Sequence, residues 1–300
     1  MTAPTTTAVG PRDPAPGAEL PRLDATLAAL TDRLSGVGRL GVAFSGGVDS
    51  ALLLALAART LGADQVLALL GVSASLAVDE RVAAHEVARQ IGVAVVEVTT
   101  YEVDRPEYQA NGPDRCFHCK DELFHRIDDE VVAAHRLDAV AYGENADDAR
   151  RPDRPGSQAA TSHAVLRPLA DLGLRKADVR SLARQLGLSV ADKPAAPCLA
   201  SRIPHHEPVT PEKLRQIDRA EAGLRALGLR DLRVRHHGDV ARLEVAAAER
   251  GRVGPLRAGV ARVVREAGFA RVLLDVQGYR RGALNEGLAA GQLVQLGGGR

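Results

Sequence analysis

No apolar run in the 300 residues reaches the length of a membrane span, so an integral helical membrane protein is excluded at the outset. Residues 1–20 are rich in Thr, Pro and Ala and lack the basic n-region and apolar h-region of a secretory signal. They read as a disordered leader on a cytoplasmic protein. Charge of one sign is also missing: Lys and Arg together number 39 against 38 for Asp and Glu. That balance provides no global basic field for non-specific nucleic-acid binding, so nucleic acid is not an expected partner. Cysteine is scarce. Three thiols, an odd number, argue against a disulfide scaffold and leave Cys116, Cys119 and Cys198 as candidates for chemistry. What is present in quantity is apolar residue, 45% of the chain, which suffices for a globular core of one large domain or two ordinary ones.

The most informative stretch is Phe44-Ser45-Gly46-Gly47-Val48-Asp49-Ser50. An apolar run, Leu40 to Ala43, precedes it as a short buried strand, and Ala51 to Ala58 follows with the composition of a packed helix. A strand-to-helix turn points unpaired N–H groups and a positive helix end at one place, and Gly46 and Gly47 allow an anion close to the backbone. The lysine of a Walker loop is absent from this turn. Ser45, Asp49 and Ser50 stand instead: hydroxyls for a pyrophosphate and a carboxylate for the magnesium that neutralises it. S-G-G-x-D-S resembles the PP-loop of ATP pyrophosphatases, which split ATP between its α and β phosphates and transfer AMP to a substrate oxygen.

Hydrophobic runs then alternate with helical patterns, as in a parallel sheet covered on both faces. A first helix spans Leu23 to Leu34, strands are expected at 65–72, 94–98 and 139–142, and an amphipathic helix at 79–91. Ligands bind such sheets at the carboxyl ends of the strands. Ser73 falls at one of those ends, as does Gly143-Glu144-Asn145-Ala146-Asp147-Asp148, where Gly143 permits close approach and Asn145, Asp147 and Asp148 gather oxygen ligands.

Cys116-Phe117-His118-Cys119 is a C-x-x-C, read as a loop in which His118 points awkwardly for a metal. A closed zinc site wants four ligands, and Cys198 is the only further thiol. Three thiolates fit an iron–sulfur cluster with one open iron, or no metal. Cys198 lies between Pro197 and Arg202, whose charge would favour the thiolate, and beside a PP-loop such a thiolate is a nucleophile for an adenylated carbonyl.

After Pro211 the pattern changes to a small α/β unit. Thr210 caps a helix that Gly228 ends, and the order continues strand (232–236), strand (241–245), helix, strand (271–276), with Gly238-Asp239 joining the first two strands. Arg233 and Arg235 alternate onto one strand face, an arrangement suited to a substrate phosphate. The fold class expected is α/β: a PP-loop parallel-sheet domain over 21–205 and a small C-terminal α/β domain over 206–300.

Taken in order, SGGVDS (45–50), PDRCFHCK (113–120), GENADD (143–148), CLASRIP (198–204), RVRHHGDVARLEV (233–245) and DVQGYRRGALNE (275–286) resemble the LarE proteins. These are ATP-dependent sacrificial sulfur transferases of nickel-pincer nucleotide cofactor synthesis. The resemblance implies a HUP-type (adenine nucleotide α-hydrolase-like) PP-loop fold. ATP and Mg2+ would be held through Ala43, Ser45, Gly46, Gly47, Asp49, Ser50, Ser73, Gly143 and Asn145. It further implies catalysis by Cys198 with Asp49 and Arg202, and binding of a pyridinium dicarboxylate mononucleotide through Ser201, Arg202, Arg233 and Arg235. Sulfur would come from Cys198 itself or from sulfide on a [4Fe–4S] cluster held by Cys116, Cys119 and Cys198, the cluster being slightly favoured by the count of three thiols. Glu221 and Glu244 match acidic positions near an intersubunit divalent metal, a homo-hexamer is implied, and Asp275, Tyr279 and Arg280 match a closing motif of unread role.

Two other readings stay open. A tRNA thiolase uses the same adenylation with a C-x-x-C and a further cysteine, and salt-sensitive tRNA binding would mark it. A nucleotide- and metal-binding sensor would bind ATP without turnover, and steady pyrophosphate release would exclude it.

Overall fold

The computed structural model describes residues 22–150, 156–278 and 293–297. Strands β1 (Leu40–Ala43), β2 (Val66–Val72), β3 (Ala94–Thr99) and β4 (Ala139–Tyr142) form a sheet in the order β3-β2-β1-β4, with every neighbouring pair parallel. Their bounds fall within a residue of those expected from the hydrophobic runs. Alternation along the strands serves two cores. Leu40, Val42, Ala68 and Leu70 face one side and pack with the helices Leu23–Arg33, Val48–Leu61, Val78–Ile91 and Lys176–Gln185. Leu67, Leu69, Val140 and Tyr142 face the other and pack with Phe124 of the Arg115–Arg126 helix and Ala159 and Ala160 of the Gly156–Ser162 helix. Burial on both faces is what makes β1, β2 and β4 near-continuously apolar, whereas the edge strand β3 is mostly exposed or half-buried and carries Glu97.

The chain leaves β1 for β2 on one side, and β4 lies on the other. The crevice outside the carboxyl ends of β1 and β4 is therefore the switch point at which open α/β sheets bind ligands. Both the SGGVDS turn and Gly143 open onto it.

The second sheet is built from β5 (Leu232–His237), β6 (Val240–Val245), β7 (Arg271–Asp275) and β8 (Leu293–Gln295), in that order. β5 and β6 are antiparallel through Gly238-Asp239, with Gly238 at φ +62°, β6 and β7 are parallel, and β8 returns antiparallel. β8 is an addition to the expected order. The Pro211–Ala226 helix starts as the sequence predicts: Thr210 Oγ1 accepts from Lys213 N, and Pro211 takes the first helical position. This helix and Arg250–Glu266 cover the sheet with Leu214, Ile217, Leu224, Val253, Val260 and Val264. The same apolar core takes in Leu199, Ala200 and Ile203 together with Val103 and Tyr108 from the first half of the chain. The residues around Cys198 are thus anchored in the core of the second sheet while facing the first.

No helix among the described residues is long and apolar enough to cross a membrane.

Candidate active site

The PP-loop is folded by its own hydroxyls. Ser50 Oγ donates to Gly47 O (3.1 Å) and accepts from Ser45 N (3.2 Å), and Ser45 Oγ lies 3.3 Å from Ser50 Oγ. Gly46 has φ +67°, and a Cβ there would meet Ala84 Cα at 2.9 Å, so only glycine fits the turn. Gly47 precedes the helix Val48–Leu61, whose first-turn N–H groups have no intrahelical acceptors. A cavity of about 250 Å³ opens here, lined by Ala43, Ser45, Gly47, Asp49, Ser50, Lys120, Phe124, Tyr142, Gly143, Glu144 and Asp148 among others.

Of the expected nucleotide residues, Ala43, Ser45, Gly47, Asp49, Ser50 and Gly143 line this cavity. Three act differently from expectation. Gly143 is small because its position touches the PP-loop helix itself: a Cβ would lie 2.7 Å from Asp49 C and Ser50 N. Asn145 is buried, and its side chain is fully committed. Its Oδ1 caps the Ala146–Ala149 helix through the N–H groups of Asp147 and Asp148, and its Nδ2 donates to Asp49 Oδ1 and Asp148 Oδ2, both at 3.0 Å. Asn145 is a positioning residue for two carboxylates. Ser73 is not on the cavity wall; its hydroxyl donates to Glu102 Oε1 (2.5 Å) and accepts from Ser75 N.

Asp49 and Asp148 line the PP-loop end of the cavity as hard oxygen donors. Magnesium takes one or two protein carboxylates and completes its shell with substrate phosphates and water, so these residues fit it. The other oxygen of Asp49 is ion-paired with Lys176 Nζ. Lys176 opens the helix Lys176–Gln185 and also donates its backbone N–H to Asp147 Oδ2 (2.9 Å). A cation missing from the loop in sequence is thus delivered to it by the fold.

A second cavity, of about 560 Å³, lies between the PP-loop and the second sheet. Its wall includes Ser45, Glu80, Lys193, the stretch Pro194 to Cys198, Arg202, Arg225, Arg230, Asp231 and Arg233. Cys198 has an exposed face along it. Protein packed around the rest of the residue desolvates the thiol and pushes it up from its ordinary range, the Arg115 guanidinium pulls it down, Cys116 adds to the rise, and Arg202 pulls it down again. Arg202 is itself buried. It donates to the carbonyls of Pro197 (2.5 Å) and Cys198 (3.1 Å) and, through Nε and Nη2, to Glu221 at 2.9 and 3.1 Å. It therefore fixes the Cys198 backbone as well as favouring its thiolate.

The family profile described as asparagine synthase matches residues 23–129, the part of the chain that carries the PP-loop. The chain is 33% identical over 267 residues to the pyridinium-3,5-bisthiocarboxylic acid mononucleotide synthase of Lactiplantibacillus plantarum, covering 89% of this chain and 96% of that one. The chain belongs to the LarE family. It is also 39% identical over 265 residues to an uncharacterised Synechocystis protein (88% and 98% of the two chains), and 27% identical over 170 residues to an uncharacterised Methanocaldococcus jannaschii protein (57% and 66%).

The C-x-x-C of this LarE-family chain does not sit as the sequence suggests. Cys116-Phe117-His118-Cys119 is the first turn of the Arg115–Arg126 helix and not a loop, and His118 turns back to Asp114, which directly precedes the helix, at 3.2 Å. Cys119 is packed at the edge of the second sheet's core, where burial, then Glu102, Cys198 and Cys116 in turn, hold its thiol well above the ordinary range. Among the described residues no three His, Cys, Asp or Glu side chains are gathered as a metal site. The three thiols are near enough to act on one another electrostatically.

The LarE expectations for the second sheet divide. Arg233 lines the large cavity and donates to Ala195 O (3.1 Å). Arg235 does not: it is buried, chelates Glu244 Oε2 through Nε (2.9 Å) and Nη2 (2.8 Å), and donates to Ser201 O (2.8 Å). Ser201 accordingly serves Arg235 and Arg202 and is not on the cavity wall. Glu221 and Glu244, expected near a metal, are both fully buried, Glu221 against Arg202, Arg225 and Val234 N, and Glu244 against Arg235. Asp275 is buried with Arg242 (2.5 Å), a role unread in sequence, while Tyr279 and Arg280 lie outside the described residues. Sequence reasoning missed Lys176, Arg115 and Lys120. Lys120 closes the PDRCFHCK motif and stands over the Tyr142 ring (4.2 Å) on the wall of the PP-loop cavity.

Proposed function

We propose that this chain is an ATP-dependent sulfur transferase that converts a carboxylate of pyridinium-3,5-biscarboxylic acid mononucleotide to a thiocarboxylate, with Cys198 as the sulfur donor. The observation that carries this reading is the position of Ser45, which lines both the nucleotide cavity and the cavity that bears Cys198. A substrate in the larger cavity can then reach the α phosphate on one side and the thiol on the other. The name of the Lactiplantibacillus relative supports the choice of substrate.

In the first step a substrate carboxylate oxygen bonds to the α phosphorus, and pyrophosphate leaves. Magnesium, when bound, neutralises charge on the phosphates. Asp49 and Asp148 would hold it, Asn145 sets their positions, and Lys176 faces the same charge. In the second step the Cys198 thiolate adds to the acyl carbon and AMP leaves, giving a thioester. Burial raises the thiol, so the guanidiniums of Arg115 and Arg202 supply the stabilisation of the thiolate. In the last step the Cα proton of Cys198 is removed and its Cβ–S bond breaks. The electron pair leaves with sulfur as the thiocarboxylate, and dehydroalanine remains at position 198.

The test is anaerobic turnover with ATP, magnesium and the dicarboxylate, followed by intact-mass analysis. The expected result is stoichiometric pyrophosphate and AMP with loss of one hydrogen sulfide mapped to Cys198. Absence of dicarboxylate-dependent pyrophosphate overturns the adenylation; release with unchanged protein mass removes Cys198 as the donor.

A further inference from the structure

The large cavity has five cations on its wall, Lys193, Arg202, Arg225, Arg230 and Arg233, against two carboxylates, Glu80 and Asp231. Three of the cations already have carboxylate partners: Lys193 holds Glu80 (2.6 Å), Arg202 holds Glu221, and Arg225 holds Asp79 (3.0 Å) and Glu221 (2.9 Å). Arg233 holds the Ala195 carbonyl. Arg230 stands apart. Among the described residues its guanidinium makes no hydrogen bond or ion pair, while its backbone is pinned by Arg230 N to Glu249 Oε1 (3.4 Å) and Ala246 N to Asp231 O (2.8 Å). A fixed backbone presents an uncommitted planar cation to a cavity whose other cations are already engaged by carboxylates or a carbonyl.

A guanidinium in that position matches a phosphate, which it can engage through two parallel N–H bonds. We propose that Arg230 is the residue that reads the phosphomonoester of the substrate, next to Arg233, in place of the buried Arg235. The inference rests on the reading of this cavity as the substrate site. On that reading the reacting carboxylate must approach Ser45 and Cys198, so the phosphate, at the other end of the nucleotide, needs a separate partner on the same wall. Arg235 is spent on Glu244 and Ser201, and Arg230 is not.

A contact to a non-reacting phosphate acts on binding in the ground and transition states alike, so it moves KM and leaves kcat. For R230A the expected KM for the mononucleotide in pyrophosphate release rises about 10- to 100-fold, the range of a hydrogen bond to a charged group. The KM for the dephosphorylated nucleoside is the same in R230A and wild type, and R230K restores part of the nucleotide preference. Equal loss for nucleotide and nucleoside, or no loss for either, overturns the proposal. Equilibrium titration with a pyridinium mononucleotide and its nucleoside makes the same comparison without turnover. If wild type prefers the nucleotide and R230A does not, the phosphate site stands even where no pyrophosphate is released, and only the proposed reaction fails. If wild type shows no preference for the nucleotide in the titration, the phosphate site is wrong.

Discussion

Removing the Glu221 carboxylate tests whether the charges beneath the Cys198 turn are structural. Glu221 is fully buried and accepts from Arg202 Nε and Nη2, Arg225 Nη2 and Val234 N, at 2.9, 3.1, 2.9 and 3.0 Å. In E221A, Arg202, whose side chain is 7% exposed, loses its carboxylate and Val234 N loses its acceptor. Breaking a buried pair by removing one partner costs about 3–5 kcal/mol, because the remaining charge stays buried and uncompensated. At roughly 2–4 °C per kcal/mol for a chain of this size, the melting temperature falls by about 10 °C. R225A is the internal control. Arg225 is 29% exposed, and Glu221 keeps Arg202 in its absence, so the loss there is about 1 kcal/mol or less. The assay is thermal and urea unfolding of both variants with and without divalent metal. An E221A melting temperature within about 2 °C of wild type refutes the argument that burial sets the cost. A metal-dependent stabilisation of wild type that E221A lacks would instead make Glu221 a ligand.

Two more predictions concern charges elsewhere in the fold. K176M should leave stability nearly unchanged, since the Lys176 and Asp49 side chains are 39% and 22% exposed, and such pairs contribute about 1 kcal/mol or less. Its kcat/KM for pyrophosphate release should fall about 10²- to 10³-fold, as for loss of one preorganised charge donor, and a fall under about threefold removes Lys176 from the site. His163 lies between Asp128 (Nδ1, 2.7 Å) and Asp121 (Nε2, 3.1 Å), the latter also bound by Arg105. Burial opposes its charged form, but the two carboxylates outweigh that and raise its pKa. A raised folded-state pKa gives stability that is fully present below the unfolded value of about 6.5 and is lost as pH rises through the folded one. The stability advantage of wild type over H163Q should therefore shrink between pH 6 and pH 9, and an advantage that grows with pH contradicts the assignment.

What could be read from the sequence was local. SGGVDS announces itself because the strand, the two glycines and the helix are contiguous, and the Thr210-Pro211 helix start works within four residues. The parallel sheet followed from apolar runs that burial on both faces requires. The errors arose where partners come from far along the chain. Lys176 is 127 residues from Asp49, and no spacing rule joins them. Arg233 and Arg235 do share a strand face, as alternation requires, but the β5–β6 register and the position of Ser201 bury one and leave the other on the cavity. C-x-x-C is compatible with a loop and with a helical turn alike. The sequence reads as a loop, whereas the chain starts its helix at Arg115.

The missing lysine of the phosphate loop has a structural consequence. A Walker loop carries its cation within the turn, so the phosphate site is nearly complete once one strand–helix unit forms. Here Asp49 is held by Asn145 from the β4 turn and by Lys176 from a helix on the first core's side of the sheet. Gly143 presses against the same Asp49–Ser50 peptide. Three segments separated by as many as 127 residues must therefore be in register before the carboxylate is placed. The Cys198 turn is assembled in the same way, from Arg115, Arg202 and Glu221 on separate elements. The two cavities share Ser45 on their walls, so the adenylation and sulfur transfer proposed above each depend on contacts made between distant parts of the chain.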